Sequence, residues 1–158
     1  MTVVTWIVEA TWPACVEAVR RYTTPDTDVV LLHVTDPDVA DVAHGAYAGL
    51  LGRRPRRDPG GQVESLASAA AHNLLDEAAA RLGRRCTNVE RTGRVEREVV
   101  GAAGGAELLT LARDGELGHL GPGSLGHATR FIVDHAPCPV LLVWPVPPPA
   151  IDTLPTHP

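Results

Sequence analysis

Short, nearly unbroken apolar runs alternate along this chain with longer stretches in which apolar residues return every three or four positions. The first pattern suits a parallel strand covered on both faces, the second an amphipathic helix. Val3 to Val8 reads as the first strand. Thr11, Trp12 and Pro13 then supply a helix start, with a hydroxyl at the N-cap and a proline in the first turn, and Cys15, Val16, Val19 and Tyr22 continue at helical spacing to the turn at Pro25. Asp28 to Val34 is the second strand, ended by Asp36, Pro37 and Asp38. Val39 to Gly61 contains Arg53, Arg54, Arg56 and Arg57 among prolines and glycines, which predicts a mobile loop. Val63 to Leu82 predicts a helix closed by Gly83. A strand over Cys86 to Glu90, a helix over Arg94 to Ala103, and a turn at Gly104 and Gly105 lead into a strand over Glu107 to Leu111. His127 to His135 reads as the last helix and Pro139 to Trp144 as a final buried strand. Such alternation predicts parallel strands joined by right-handed crossovers, with helices on both faces of the sheet.

The chain of 158 residues fits a single domain over 1–145. A proline-rich tail, 146–158, is expected to be extended or disordered. A formal charge of -5 gives no basic footprint for nucleic acid. No apolar run reaches the length of a membrane span, and Met1 to Val8 lacks a basic region and a cleavage site, so a cytoplasmic protein is expected. Cys15, Cys86 and Cys138 are odd in number and widely spaced, which points to buried free thiols rather than disulfides or a zinc site. All 14 Lys+Arg positions are Arg, which excludes a lysine Schiff base and any phosphate loop ending in Gly-Lys-Ser/Thr.

Between the strand at Glu107 and the helix at His127 stand Gly115, Gly118, Gly121, Gly123 and Gly126. A strand, a glycine loop and a helix N-terminus in that order present backbone N–H groups and the positive end of a helix dipole, an arrangement suited to phosphate. The plain alternative is a connecting loop. His119, His127 and His135 do not share the adjacent-turn spacing of helical metal ligands, so no metal site is expected. Cys138, between two prolines with no base beside it, reads as a packing residue. Arg53 to Arg57 suits a solvated loop, or a lid over an anion. Trp6 reads as core or sheet-face packing.

These residues resemble the universal stress protein family. The resemblance runs from Val3 through Trp144: Val4 to Val8 as first strand, Leu31-Leu32-His33-Val34 with Pro37 as second, Gly93 before the third helix, and the ending from Gly126 through His135-Ala136-Pro137-Cys138-Pro139-Val140-Leu141-Leu142-Val143. It implies a five-stranded parallel α/β sheet of order 3-2-1-4-5, of the adenine nucleotide alpha hydrolase-like kind. Nucleotide-binding members have an Asp closing the first strand, then Gly-x-x-Gly, nine residues, and Gly-Ser or Gly-Thr after the fourth. Here Glu9 stands for the Asp, Ala112 and Gly115 for the glycine pair, and Gly126 and His127 for the last pair, with ten intervening residues. A second register uses Gly123 and Ser124 but lengthens the segment to Pro139 by almost a helical turn.

The resemblance thus implies a regulatory stress-response protein that binds ATP or a related adenine nucleotide, with Mg. Glu9 and Val34 would lie near the nucleoside, and Ala112, Gly115, Gly126, His127, Ala128 and Thr129 near phosphate. No acid, base and nucleophile converge, so no turnover is expected. A homodimer through the last strand and a further regulatory protein partner are implied. Ala112, Asp114 and His127 keep a nucleotide-independent interaction module of the same fold as an alternative, and a slow nucleotide hydrolase using His127 as another.

Overall fold

Val3 and Val4 adjoin in sequence and are both buried, yet they belong to different cores. Successive side chains of a strand point to opposite faces, so a sheet buried on both sides needs an unbroken apolar run. The computed structural model describes residues 1–37 and 59–154. The strands are β1 (Thr2–Trp6), β2 (Asp28–Thr35), β3 (Cys86–Thr92), β4 (Leu108–Ala112) and β5 (Val140–Val143). They form one sheet of order β3-β2-β1-β4-β5 with parallel pairing throughout. The expected α/β architecture and strand order are therefore what the chain adopts.

Helices α1 (Trp12–Tyr22) and α2 (Pro59–Leu82) cover one face, and α3 (Val95–Ala102) and α4 (His127–His135) belong to the other. On the first, Val3, Val29 and Leu31 meet Val16 and Val19 of α1 and Leu75, Ala78 and Leu82 of α2. On the second, Val4, Trp6, Leu32, Leu109 and Leu111 meet Val99 of α3 and Ile132 of α4. Each such side chain removed from water contributes about 1.5–3 kcal/mol, so the central strands anchor everything attached to their ends. Trp6 is core, as its place in the first strand predicts. Gly83 follows α2 with φ +68°, and its N–H bonds to the Ala79 carbonyl, so the helix closes on a left-handed residue.

Several expectations need correction. The loop expected over Val39 to Gly61 lies mostly outside the described residues, as do Arg53 to Arg57, but Pro59 to Gly61 already belong to α2. Proline is tolerated there because the first helical N–H groups have no intrahelical acceptor. The Thr11 hydroxyl makes no cap; the N–H groups of Thr11 and Trp12 bond to the Val8 carbonyl instead. The final strand is half-buried, not buried, because the sheet order puts β5 at an edge. Only Cys15 is a buried thiol; Cys86 and Cys138 are partly exposed, one on edge strand β3 and the other just ahead of β5. The tail is not wholly irregular either. Ile151–Thr153 form a 3-10 turn, and Thr153 Oγ1 accepts the Leu120 N–H at 3.2 Å, tying the tail to the glycine loop.

Candidate functional site

The sheet order reverses direction between β1 and β4, so the connections leaving their carboxyl ends run to opposite faces, the point at which sheets of this kind take ligands into a crevice. Thr5 stands opposite Thr110, and each strand runs on toward that end. Glu9 is exposed just beyond β1. Ala112 is the last residue of β4, 5% exposed, beside Val143. Val34 is buried near the end of β2. The exit of β1 is pinned on its other side: His33 Nδ1–H donates to the Ile7 carbonyl at 2.9 Å, and the Ile7 N–H donates to Leu32 O at 2.8 Å.

The glycine loop is closed on itself. The N–H groups of Gly115 and Glu116 donate to the carbonyls of Ser124 and Gly123 at 2.9 and 2.8 Å. The Arg113 guanidinium lies 4.6 Å over the Trp144 ring and donates to Ser124 Oγ, which donates in turn to the Gly121 carbonyl. Arg130 Nη2 donates to the carbonyls of Pro122 and Leu125. The two arginines that flank the loop, Arg113 at the end of β4 and Arg130 on α4, are therefore spent on holding it shut. The expectation of unpaired N–H groups at the glycine loop is corrected accordingly: those of Gly115, Glu116, Ser124 and Leu125 serve the loop itself.

Gly126 precedes α4 with an ordinary φ of -66°, and its N–H donates to Asp114 Oδ1 at 2.8 Å. Among the described residues, the next three N–H groups, of His127, Ala128 and Thr129, have no acceptor. Helix geometry points these first-turn groups out of the N-terminal end, toward negative charge. His127 is exposed, Ala128 half-buried, and Thr129 fully buried with no partner for Oγ1. A buried hydroxyl without a partner is uncommon in a folded protein. Gly115, Gly126, His127, Ala128 and Thr129 thus gather at the loop and the start of α4. Glu9 and Ala112 stand at the ends of the two strands that flank the crevice.

Among the described residues, no three His, Cys, Asp or Glu side chains are arranged to hold a metal ion. His119 bonds to Glu116 and His135 stacks on Phe131. Partial burial pushes the Cys138 thiol up, away from the thiolate a nucleophile needs. A cavity of about 370 Å³ between Asp26, Asp28, Arg85 and Cys86 lies at the amino ends of β2 and β3, the wrong end of the sheet for the crevice. Asp114's bond to Gly126 and the Arg113–Trp144 contact are the features sequence reasoning missed. Both join residues of different segments; the charges of Arg113, Asp114 and Glu116 were legible in the sequence, their partners were not.

Among solved structures, the chain resembles the hypothetical protein MJ0577, with a TM-score of 0.68 and 18% identity over 90% of this chain and 94% of that one. It also resembles a universal stress protein in complex with cAMP, with a TM-score of 0.61 and 15% identity over 92% and 98%. An Arabidopsis thaliana universal stress protein family protein with AMP bound gives a TM-score of 0.55 and 17% identity over 99% and 97%. These likenesses show the fold. No curated protein matches the chain. The model of the universal stress protein family matches residues 8–143, from the exit of β1 to the end of β5, and the chain belongs to that family.

Proposed function

We propose that this protein is a regulatory stress-response protein that binds an adenine nucleotide at the carboxyl ends of β1 and β4, without turning it over. The observation that carries this reading is the row of N–H groups of His127, Ala128 and Thr129 beside the unpartnered Thr129 hydroxyl. Together they offer donors and a helix dipole to a phosphate. In support, related folds hold cAMP and AMP. Glu9 and Val34 flank the nucleoside, and Ala112, Gly115, Gly126, His127, Ala128 and Thr129 surround the phosphate. ATP with Mg is the most highly charged ligand of this class, and the cytoplasm the compartment. A further regulatory protein would read the bound state.

The test is thermal unfolding of the nucleotide-stripped protein with rising AMP or MgATP. A native-state ligand at one hundred times its Kd stabilises by about 2.7 kcal/mol. A saturable rise in Tm, abolished by Gly126→Asp, is expected, because a Cβ at Gly126 already meets Asp114 Oδ1 at 2.8 Å and a second carboxylate would face the same donors. The closed loop and the Asp114 cap favour a second reading, an interaction module that needs no nucleotide. No shift at millimolar AMP or MgATP, with the protein folded and stripped, would select it.

A further inference from the structure

The Asp114 carboxylate sits at the N-terminal end of α4, beside the N–H groups assigned above to a phosphate. Its Oδ1 accepts the Gly126 N–H at 2.8 Å, one residue ahead of the three donors that α4 leaves free. The backbone on either side has little freedom to carry it away. Arg113 donates its N–H to the Val143 carbonyl and lays its side chain on Trp144 and Ser124, while Gly115 is bonded to the Ser124 carbonyl. Among the described residues, no cation pairs with Asp114, since Arg113 and Arg130 are turned onto the ring, hydroxyl and carbonyls of the loop. Glu9 adds a second exposed carboxylate at the end of β1. Anionic groups thus outnumber free cationic ones where phosphate would approach.

We propose that Asp114 is an internal anion that competes with ligand phosphate for the N-terminus of α4, so that the site selects adenosine and weakly charged nucleotides over triphosphates. This rests on the nucleotide reading above and assigns its specificity. A nucleoside takes its contacts from the ends of β1 and β2 and never meets the Asp114 charge. Each added phosphate charge approaches a carboxylate already bonded to the helix, and like charges at contact range repel. The carboxylate is exposed, so the competition is finite and screened by salt.

The test is calorimetric titration of the full chain and of Asp114→Asn with adenosine, AMP and ATP, in EDTA at low ionic strength. Asparagine keeps an oxygen that can accept from Gly126 and removes only the charge. Asp114→Ala, which removes both, serves as a second variant, and circular dichroism verifies that each is folded. The unsubstituted protein is expected to bind adenosine more tightly than ATP. Either variant should gain about tenfold or more for AMP and ATP, with adenosine unchanged and the gain shrinking as NaCl is added. Equal gains for all three ligands, a salt-independent gain, or no gain while the ligands still bind would overturn the role of Asp114 and leave nucleotide binding intact. Failure of every protein to bind any of the three ligands would overturn both.

Discussion

At the scale of single residues, Gly115 and Gly118 look alike in sequence and differ in what surrounds them. A Cβ at Gly115 would stand 2.8 and 2.9 Å from the carbonyl carbons of Ser124 and Leu125 and closer still to the Gly123 oxygen, whereas one at Gly118 would meet nothing within 4 Å. The Gly115 neighbours are backbone, held in the paired bonds that close the loop, so they have no side-chain torsion with which to yield. Gly115→Ala is therefore expected to cost about 1–3 kcal/mol, like other overpacked sites. Gly118→Ala should stay within about 0.5 kcal/mol of the parent. Urea unfolding at constant slope reads both, and equal midpoints would mean that the two loop strands are not closed as described. The spacing of Gly115 and Gly126 was legible in the sequence because a tight turn and a close helix start both require small residues. What Asp114 does was not. Its charge is visible in the sequence, but its bond to Gly126 spans a whole loop whose path only the folded backbone defines.

At the scale of elements, periodicity predicted helices and strands well because both faces of the sheet are buried. The apolar run in β2 and the three-to-four spacing in α1 answer to two different packing geometries. The helix over His127 to His135 has the bounds expected of it, since Gly126 and Pro137 bracket it. Strand ends were less legible: β3 continues to Thr92 through polar residues whose ladder with β2, not their hydrophobicity, keeps them extended. Burial of individual positions on α1 has a chemical consequence. Cys15, on α1, is fully buried, and desolvation pushes its thiol from 9.0 up to about 12. A group whose folded value is raised contributes stability that is whole below its unfolded value and is lost as pH rises through the folded one. Stability should therefore fall between about pH 9 and 12, and Cys15→Ala should flatten that fall at some cost in packing. In the native protein at pH 8, an aromatic disulfide reagent should label Cys86 and Cys138 promptly and Cys15 only on unfolding. Three fast thiols would contradict the burial.

At the scale of the whole molecule, the two edges of the sheet are unlike. β3 carries Asn88, Glu90 and Arg91, charged and polar groups that discourage another strand from pairing. β5 offers Val-Leu-Leu-Val, partly exposed along its whole length, with nothing in the described chain paired to its outer side. The ladder fixes which of its backbone groups are available. Leu109 N–H bonds to Pro139 O and Arg113 N–H to Val143 O, so alternate residues of β5 serve β4, and those between, Val140 and Leu142, turn their N–H and C=O outward. An apolar edge with regularly spaced donors and acceptors is suited to a second copy of itself about a two-fold axis. Such a homodimer, proposed here, would continue the sheet from one protomer into the next and bring two glycine loops, tied to β5 through Trp144 and Arg113, to either side of the axis. Sedimentation equilibrium of the parent should then give twice the chain mass of 16.7 kDa. Leu141→Lys places like charges on one continuous face near the axis and should shift the protein to monomer with its far-ultraviolet dichroism unchanged. Leu141 lies in β5 and belongs to neither buried cluster, so the loss of dimer would not be a loss of core. A parent that sediments as a monomer at tens of micromolar would end this assembly, and the β5 edge would need another cover.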